Sequence, residues 1–159
     1  MRRIERGFTL LEILITLLVI ALVLAVSYPS LSRGTAVLSL RTTSRDILGA
    51  LRYAREKAVT EQTAMRVTVD LGSQTVRMTN DFGEGNRQYV LPDTVRIRRV
   101  LLGGAEAHGD VSTVRFLPNG SSDAVEILIE SKTGSFMRIV SDPLTGGACI
   151  QSGTGEVAL

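Results

Sequence analysis

From Phe8 to Ser27 almost every side chain is Leu, Ile, Val, Ala or Phe, interrupted by Thr9, Thr16 and a single ionisable group, Glu12. A helix rises about 1.5 Å per residue, so this run covers roughly 30 Å, the thickness of a bilayer's hydrocarbon core. Pro29 and Gly34 follow it and predict a kink, after which the helix resumes. Val37, Leu40, Ile47, Leu48, Leu51, Ala54 and Ala58 then recur at three- and four-residue steps, while Arg41, Arg45, Arg52, Arg55 and Glu56 fall mostly elsewhere. That spacing predicts an amphipathic helix to about Glu61 with one stripe on a core.

Beyond Gln62 the period changes to two. Met65, Val67, Val69 and Leu71 alternate with Arg66, Thr68 and Asp70; Gly72-Ser73 turns the chain, and Val76 and Met78 resume the alternation. This predicts a hairpin with one face on the helix, followed by a loop from Asp81 to Asn86. Further strands are expected at Val95 to Leu102, Val114 to Leu117, Val125 to Glu130 and Phe136 to Val140. Gly103-Gly104, Pro118-Asn119-Gly120 and Thr133-Gly134 separate them. With no internal repeat or low-complexity linker, the fold class expected is α+β: a long N-terminal helix packed on one antiparallel sheet domain.

Charge sharpens the picture at the N-terminus. The chain has 18 basic and 16 acidic residues in 159 and a pI near 9.0. Its first seven residues, MRRIERG, hold three of the bases and one of the acids, leaving the remaining chain with fifteen of each. The basic excess therefore sits before the apolar run, which places the N-terminus on the cytoplasmic side and the body outside the cytoplasm. A secretory signal peptide, with Ala25-Val26-Ser27 as its cleavage site, and a simple membrane anchor both fit this pattern. Neither gives Glu12 a role. A carboxylate near the end of such a span costs about 2–3 kcal/mol on insertion scales, so a compensating partner is expected.

Arg6-Gly7-Phe8-Thr9-Leu10-Leu11-Glu12 resembles the class III signal of type IV pilins and type II secretion pseudopilins. The resemblance implies that prepilin peptidase cuts between Gly7 and Phe8 and N-methylates Phe8, and that Glu12 is the family's acid at the fifth mature position. Glycine before the cut lets an extended backbone enter a protease site unobstructed. Cleavage exposes an amine on Phe8, and a carboxylate four residues on can meet the amine of a neighbouring helix displaced by about a turn. An ion pair in low dielectric then offsets the burial of each charge. The domain reading that follows is a leader over 1–7, a transmembrane and assembly helix over 8–28, and a periplasmic pilin-like domain over 29–159.

Two more segments, Ala54-Arg55-Glu56-Lys57-Ala58-Val59 and Phe116-Leu117-Pro118-Asn119-Gly120-Ser121-Ser122, resemble the GspH/FimT group of minor pseudopilins and minor pilins. DNA-binding FimT-like proteins carry a C-terminal Gly-Arg-x-Arg pattern, and its nearest counterpart here, Gly146-Gly147-Ala148-Cys149, has neither arginine. The resemblance thus implies a structural minor pseudopilin at or near the tip of a type II secretion pseudopilus, assisting export of folded proteins across the outer membrane. Its alternative is a FimT/FimU-like minor type IV pilin that primes pilus assembly or binds DNA during uptake. Implied partners are prepilin peptidase, other minor and major pseudopilins, the inner-membrane assembly platform and membrane lipid, with no nucleic acid. Implied location is the inner membrane, single-pass with the C-terminal domain periplasmic, then the pseudopilus.

Other chemistry lacks parts. His108, the one histidine, lies in a loop from Gly103 to Asp110 with no second member for a triad or multi-His metal site. Gly146-Gly147 and Gly153-Thr154-Gly155 lack a following Gly-Lys-Ser/Thr and read as turns. In Val95-Arg96-Ile97-Arg98-Arg99-Val100, Arg96 and Arg98 share one strand face and Arg99 the other, a solvated outer face with a phosphate-binding stripe as the sharper alternative. Asp110, Asp123, Asp142 and Glu156 are too scattered for calcium. Lone Cys149 is expected to be a small buried hydrophobe. No catalytic group, metal site or cofactor is expected, and aromatics at 4 % with no Trp offer no stacking platform.

Overall fold

The computed structural model describes residues 8–83, 87–107 and 109–152, the side chains of 25–33 and of Ser152 excepted. The chain divides into two compact units, 1–35 and 36–159. Helix α1 is assigned over Leu10–Glu61 without a break at Pro29 or Gly34. The kink expected at Pro29 falls among side chains outside the described residues.

In the first unit the apolar side chains from Phe8 to Leu24 are all exposed, from 50 % at Ile15 to 83 % at Leu10. They touch no core. Among the described residues no helix is long and apolar enough to cross a membrane; the last four residues of the expected span, 25–28, have no described side chains.

In the second unit the expected stripe is buried. Leu40, Ile47, Leu51, Ala54 and Ala58 are at most 1 % exposed. Ser44 lies on the same stripe; its hydroxyl donates to Leu40 O (2.6 Å) and contacts Met137 Sδ (3.0 Å), so its burial leaves no polar atom unmatched. The helix ends where Gln62 adopts φ +53°, Thr63 N–H reaches back to Ala58 O and the Gln62 amide donates to Val59 O, which together satisfy carbonyls of the last turn.

The antiparallel strands expected for the domain divide into two sheets. β1 (Met65–Asp70), β2 (Thr75–Asn80), β3 (Arg87–Val90) and β6 (Val111–Phe116) make the first, in the order β3-β2-β1-β6. β4 (Val95–Leu102), β5 (Ala105–Glu106), β7 (Val125–Ser131), β8 (Phe136–Ser141) and β9 (Ala148–Ser152) make the second, in the order β5-β4-β7-β8-β9. Met65, Val67, Val69, Val76, Met78, Val114 and Phe116 bury the inner face of the first sheet, with Val67 opposite both Met78 and Val114. Ile97, Val100, Ile127, Ile129 and Ile139 do so in the second. Gln74 joins the two. Held at φ +52°, its side-chain amide accepts from Ile97 N (2.6 Å) and donates to Leu71 O (2.6 Å), so a side chain substitutes for a ladder rung between β4 and the β1–β2 turn.

Three strands escaped the periodicity. β3 has the burial pattern of an edge, with only Tyr89 partly covered, and β5 has two residues. In β9, Ala148 and Ile150 face inward, which turns Cys149 outward: it is exposed, not the buried hydrophobe expected. A register shift between Ile97 and Arg99 also makes the inward positions Ile97 and Val100 three apart, while Arg96 and Arg98 remain exposed as expected.

Two glycines report opposite constraints. Gly49 is exposed in mid-helix with nothing within 4 Å of an added Cβ. Gly49→Ala should therefore raise stability by about 0.5–1 kcal/mol through reduced backbone entropy. Gly146 sits at φ +61°, where a Cβ would meet Gly120 O and come 2.8 Å from Arg55 Cδ. Gly146→Ala should cost on the order of 1–3 kcal/mol from its conformation alone. Urea unfolding of the full chain in detergent checks both; midpoints that move in the same direction contradict this packing.

Candidate processing and assembly site

Thr9 begins the apolar helix. Its hydroxyl accepts from Glu12 N (3.2 Å), and its carbonyl accepts from Glu12 N (3.1 Å) and Ile13 N (3.3 Å). Thr9 is thus the N-cap and Glu12 the third helical residue, the spacing of a capping box. The signal is present in the sequence as Thr-x-x-Glu, although its role as a cap is masked there by the membrane-span pattern around it. A negative side chain here also lies in the first turn, where the helix dipole favours it. Glu12 is exposed within the subunit, as is Phe8 at 77 %. The cap engages the Glu12 amide and leaves its carboxylate available to an outside cation. Gly7 lies outside the described residues, so of the two residues flanking the expected cleavage point only Phe8 is described.

The remaining candidates do not assemble into a site. Arg98 Nε is 2.9 Å from Glu130 Oε2, and Arg96 is paired in register with the same Glu130, so the strand's outer arginines already face an acid. His108 lies outside the described residues. Asp142 organises the loop before β9: it accepts from Leu144 N (2.9 Å) and Thr145 Oγ1 (3.1 Å), and these bonds, the first above all, hold its carboxyl below the usual range. Asp123 accepts from Arg115 N (2.9 Å). Among the described residues no group of three His, Cys, Asp or Glu is placed to hold a metal ion.

The two body segments singled out in the sequence meet each other. Arg55 Nε donates to Gly120 O (3.2 Å), joining the end of α1 to the Phe116–Ser122 turn, where Asn119 Oδ1 accepts from Ser121 N and Oγ and Gly120 N donates to Leu117 O. Arg52 Nη2 donates to Ala148 O (3.0 Å), joining the helix to β9. Both arginines bind backbone carbonyls, which makes them clamps of the fold and not reactive groups.

Comparison with known proteins accords with this anatomy. The profile of the prokaryotic N-terminal methylation motif matches residues 2–28, and that of type II transport protein GspH matches residues 43–145. No curated protein sequence matches the chain significantly. Among solved structures, the fold is similar to the minor pseudopilin EpsH from the type 2 secretion system of Vibrio cholerae in two separate structures. One gives a TM-score of 0.62 at 13 % identity over 74 % of this chain and 99 % of that one, the other 0.59 at 14 % over 74 % and 97 %. At these identities the likeness carries the pilin-like α+β fold. The family rests on the profile, which covers more than half of the chain and spans the Arg55–Gly120 clamp. The chain belongs to the type II transport protein GspH family.

Proposed function

We propose that this chain is a minor pseudopilin of the type II secretion system, located at or near the tip of the periplasmic pseudopilus, where it assists export of folded proteins across the outer membrane. The observation that carries the reading is the N-terminal unit: an apolar helix with every described large side chain exposed, capped by Thr9, and bearing one outward carboxylate in its first turn. Such a surface is unfavourable in water and calls for lipid or for other apolar helices. Before assembly the helix lies in the inner membrane with its basic leader on the cytoplasmic side. Prepilin peptidase removes 1–7 and methylates Phe8. Glu12 then pairs with the Phe8 amine of an adjacent subunit, which sets the register of packing. The work of the protein is mechanical, with the sheet domain displayed by the helix.

Processing is read by mass spectrometry of the membrane-bound protein. The expected N-terminus is methylated Phe8, and Gly7→Leu should leave the precursor uncut. A soluble periplasmic form beginning at Tyr28 contradicts the assignment.

Glu12→Ala leaves the Thr9 cap intact, because the cap uses the backbone amide, and it makes the helix more apolar. Membrane insertion and cleavage should be normal while assembly falls. Leaving a buried amine without its mate costs about 3–5 kcal/mol, enough to lower incorporation by roughly two or more powers of ten. Crosslinking to other pseudopilins together with a secretion assay measures this; unchanged values for both contradict the pair.

Nucleic-acid binding should be weak or absent, since the chain beyond its leader is neutral and Arg98 is engaged by Glu130. A gel shift with the full chain in detergent should show no complex at physiological salt. Tight binding that weakens in Arg96→Ala/Arg98→Ala contradicts this.

A further inference from the structure

The outward face of α1 in the 36–159 unit carries a row of cations of which, among the described residues, the fold uses one donor of Arg52 and nothing of Arg41 or Arg45. Arg41, Arg45 and Arg52 are exposed and, at steps of four and seven, fall within one narrow sector turned away from Leu40, Ile47 and Leu51. Among the described residues neither Arg41 nor Arg45 has an ion pair or a hydrogen bond, and Arg52 gives only Nη2 to Ala148 O. The acids of the body are largely occupied elsewhere. Glu61, Asp81, Glu130, Asp123 and Glu126 each face a cation on their own element or a neighbouring one, and Asp70 and Asp142 accept hydrogen bonds within their own turns. Glu56 is the one acid on the row, and it lies within no ion pair.

Gly49 sits on this face between Arg45 and Arg52, in open space, in a helix that would be more stable without it. A missing side chain at an exposed point of a cationic row admits a neighbour's backbone to close approach. At the far end of the row Arg52, Arg55, Glu56, Val59, Gly146 and Ala148 line a groove of about 470 Å³, where two guanidinium groups outnumber the one carboxylate and each retains N–H donors beyond the one it gives to a carbonyl. A carboxylate takes two such donors side by side.

We propose that this row is a docking surface for an acidic face of a different pilin-like subunit, with Gly49 as the point of closest approach and the Arg52–Arg55 groove receiving an acidic side chain. The inference rests on the reading of the chain as an assembling subunit. A second copy of this chain is the wrong partner, because its matching face brings the same row of cations against this one. A protein surface fits better than nucleic acid. Leu38 and Val59, 64 % and 39 % exposed, flank the arginines and would stay in water beneath a phosphate backbone. Tyr53, the aromatic beside the row, already holds Arg87 over one face of its ring at 4.7 Å.

The test is photocrosslinking of the full chain in cells, with the probe at exposed Thr42 and, separately, at Leu14 in the apolar half of the helix. The expected product from Thr42 is a different pilin-like subunit, joined within a stretch rich in Asp and Glu. Arg41→Glu/Arg45→Glu should lower its yield at least about tenfold, and reversing the partner's acids to Lys should restore it. Gly49→Gln should lower the yield although it stabilises the helix, an effect that a purely structural glycine would not give. A Thr42 product unaffected by charge reversal overturns the proposal, as does one formed with a second copy of this chain or with nucleic acid. If Leu14 still crosslinks to pilin-like subunits in those cases, the docking row fails while the assembly reading stands; if Leu14 finds none, both fail.

Discussion

Every feature of the body depends on burying one stripe of α1. Leu40, Ile47, Leu51, Ala54 and Ala58 share one buried cluster with the inward residues of both sheets. Once that stripe is covered, Arg41 and Arg45 on the outward row have no packing role, and the row is free to be cationic. The same helix has no such division in its first half, where apolar side chains point in all directions. One element thus serves two environments, and the change from uniform to one-sided hydrophobicity marks where the requirement changes.

The stripe alone would let the sheets slide along the helix. Directional bonds prevent that: Arg55 to Gly120 O and Arg52 to Ala148 O, while the Gln74 amide on the backbone of Ile97 ties the two sheets to each other. Gly146, at a left-handed φ, permits the closeness the Arg55 clamp requires. This explains why Ala54–Val59 and Phe116–Ser122 carry the family resemblance: they are the two sides of one contact, and neither supplies a reactive group.

The helix to Glu61, the β1–β2 hairpin, β4, β7 and β8 were legible because each has a buried face whose period shows in the residues. β3 and β9 were not, since an edge strand leaves half its alternation to solvent and Arg87-Gln88-Tyr89-Val90 reads as polar loop. The division into two sheets was also hidden, because periodicity tells which residues face inward and not which strands pair. Cys149 was misplaced for the same reason: without β9, nothing indicated which of its neighbours took the inward position. At the N-terminus the motif Gly7-Phe8-Thr9-Leu10-Leu11-Glu12 was fully readable, yet one of its physical meanings, the Thr9 cap on the Glu12 amide, was not drawn from it.

In the proposed function Glu12 accepts a charge that another subunit supplies. Electron cryomicroscopy of an assembled fibre containing this chain measures that directly. The predicted result is the Glu12 carboxylate within about 4 Å of the methylated Phe8 amine of an adjacent subunit, the range of an ion pair. A map in which Glu12 faces lipid or water, with no amine in reach although apolar helices surround it, contradicts the account.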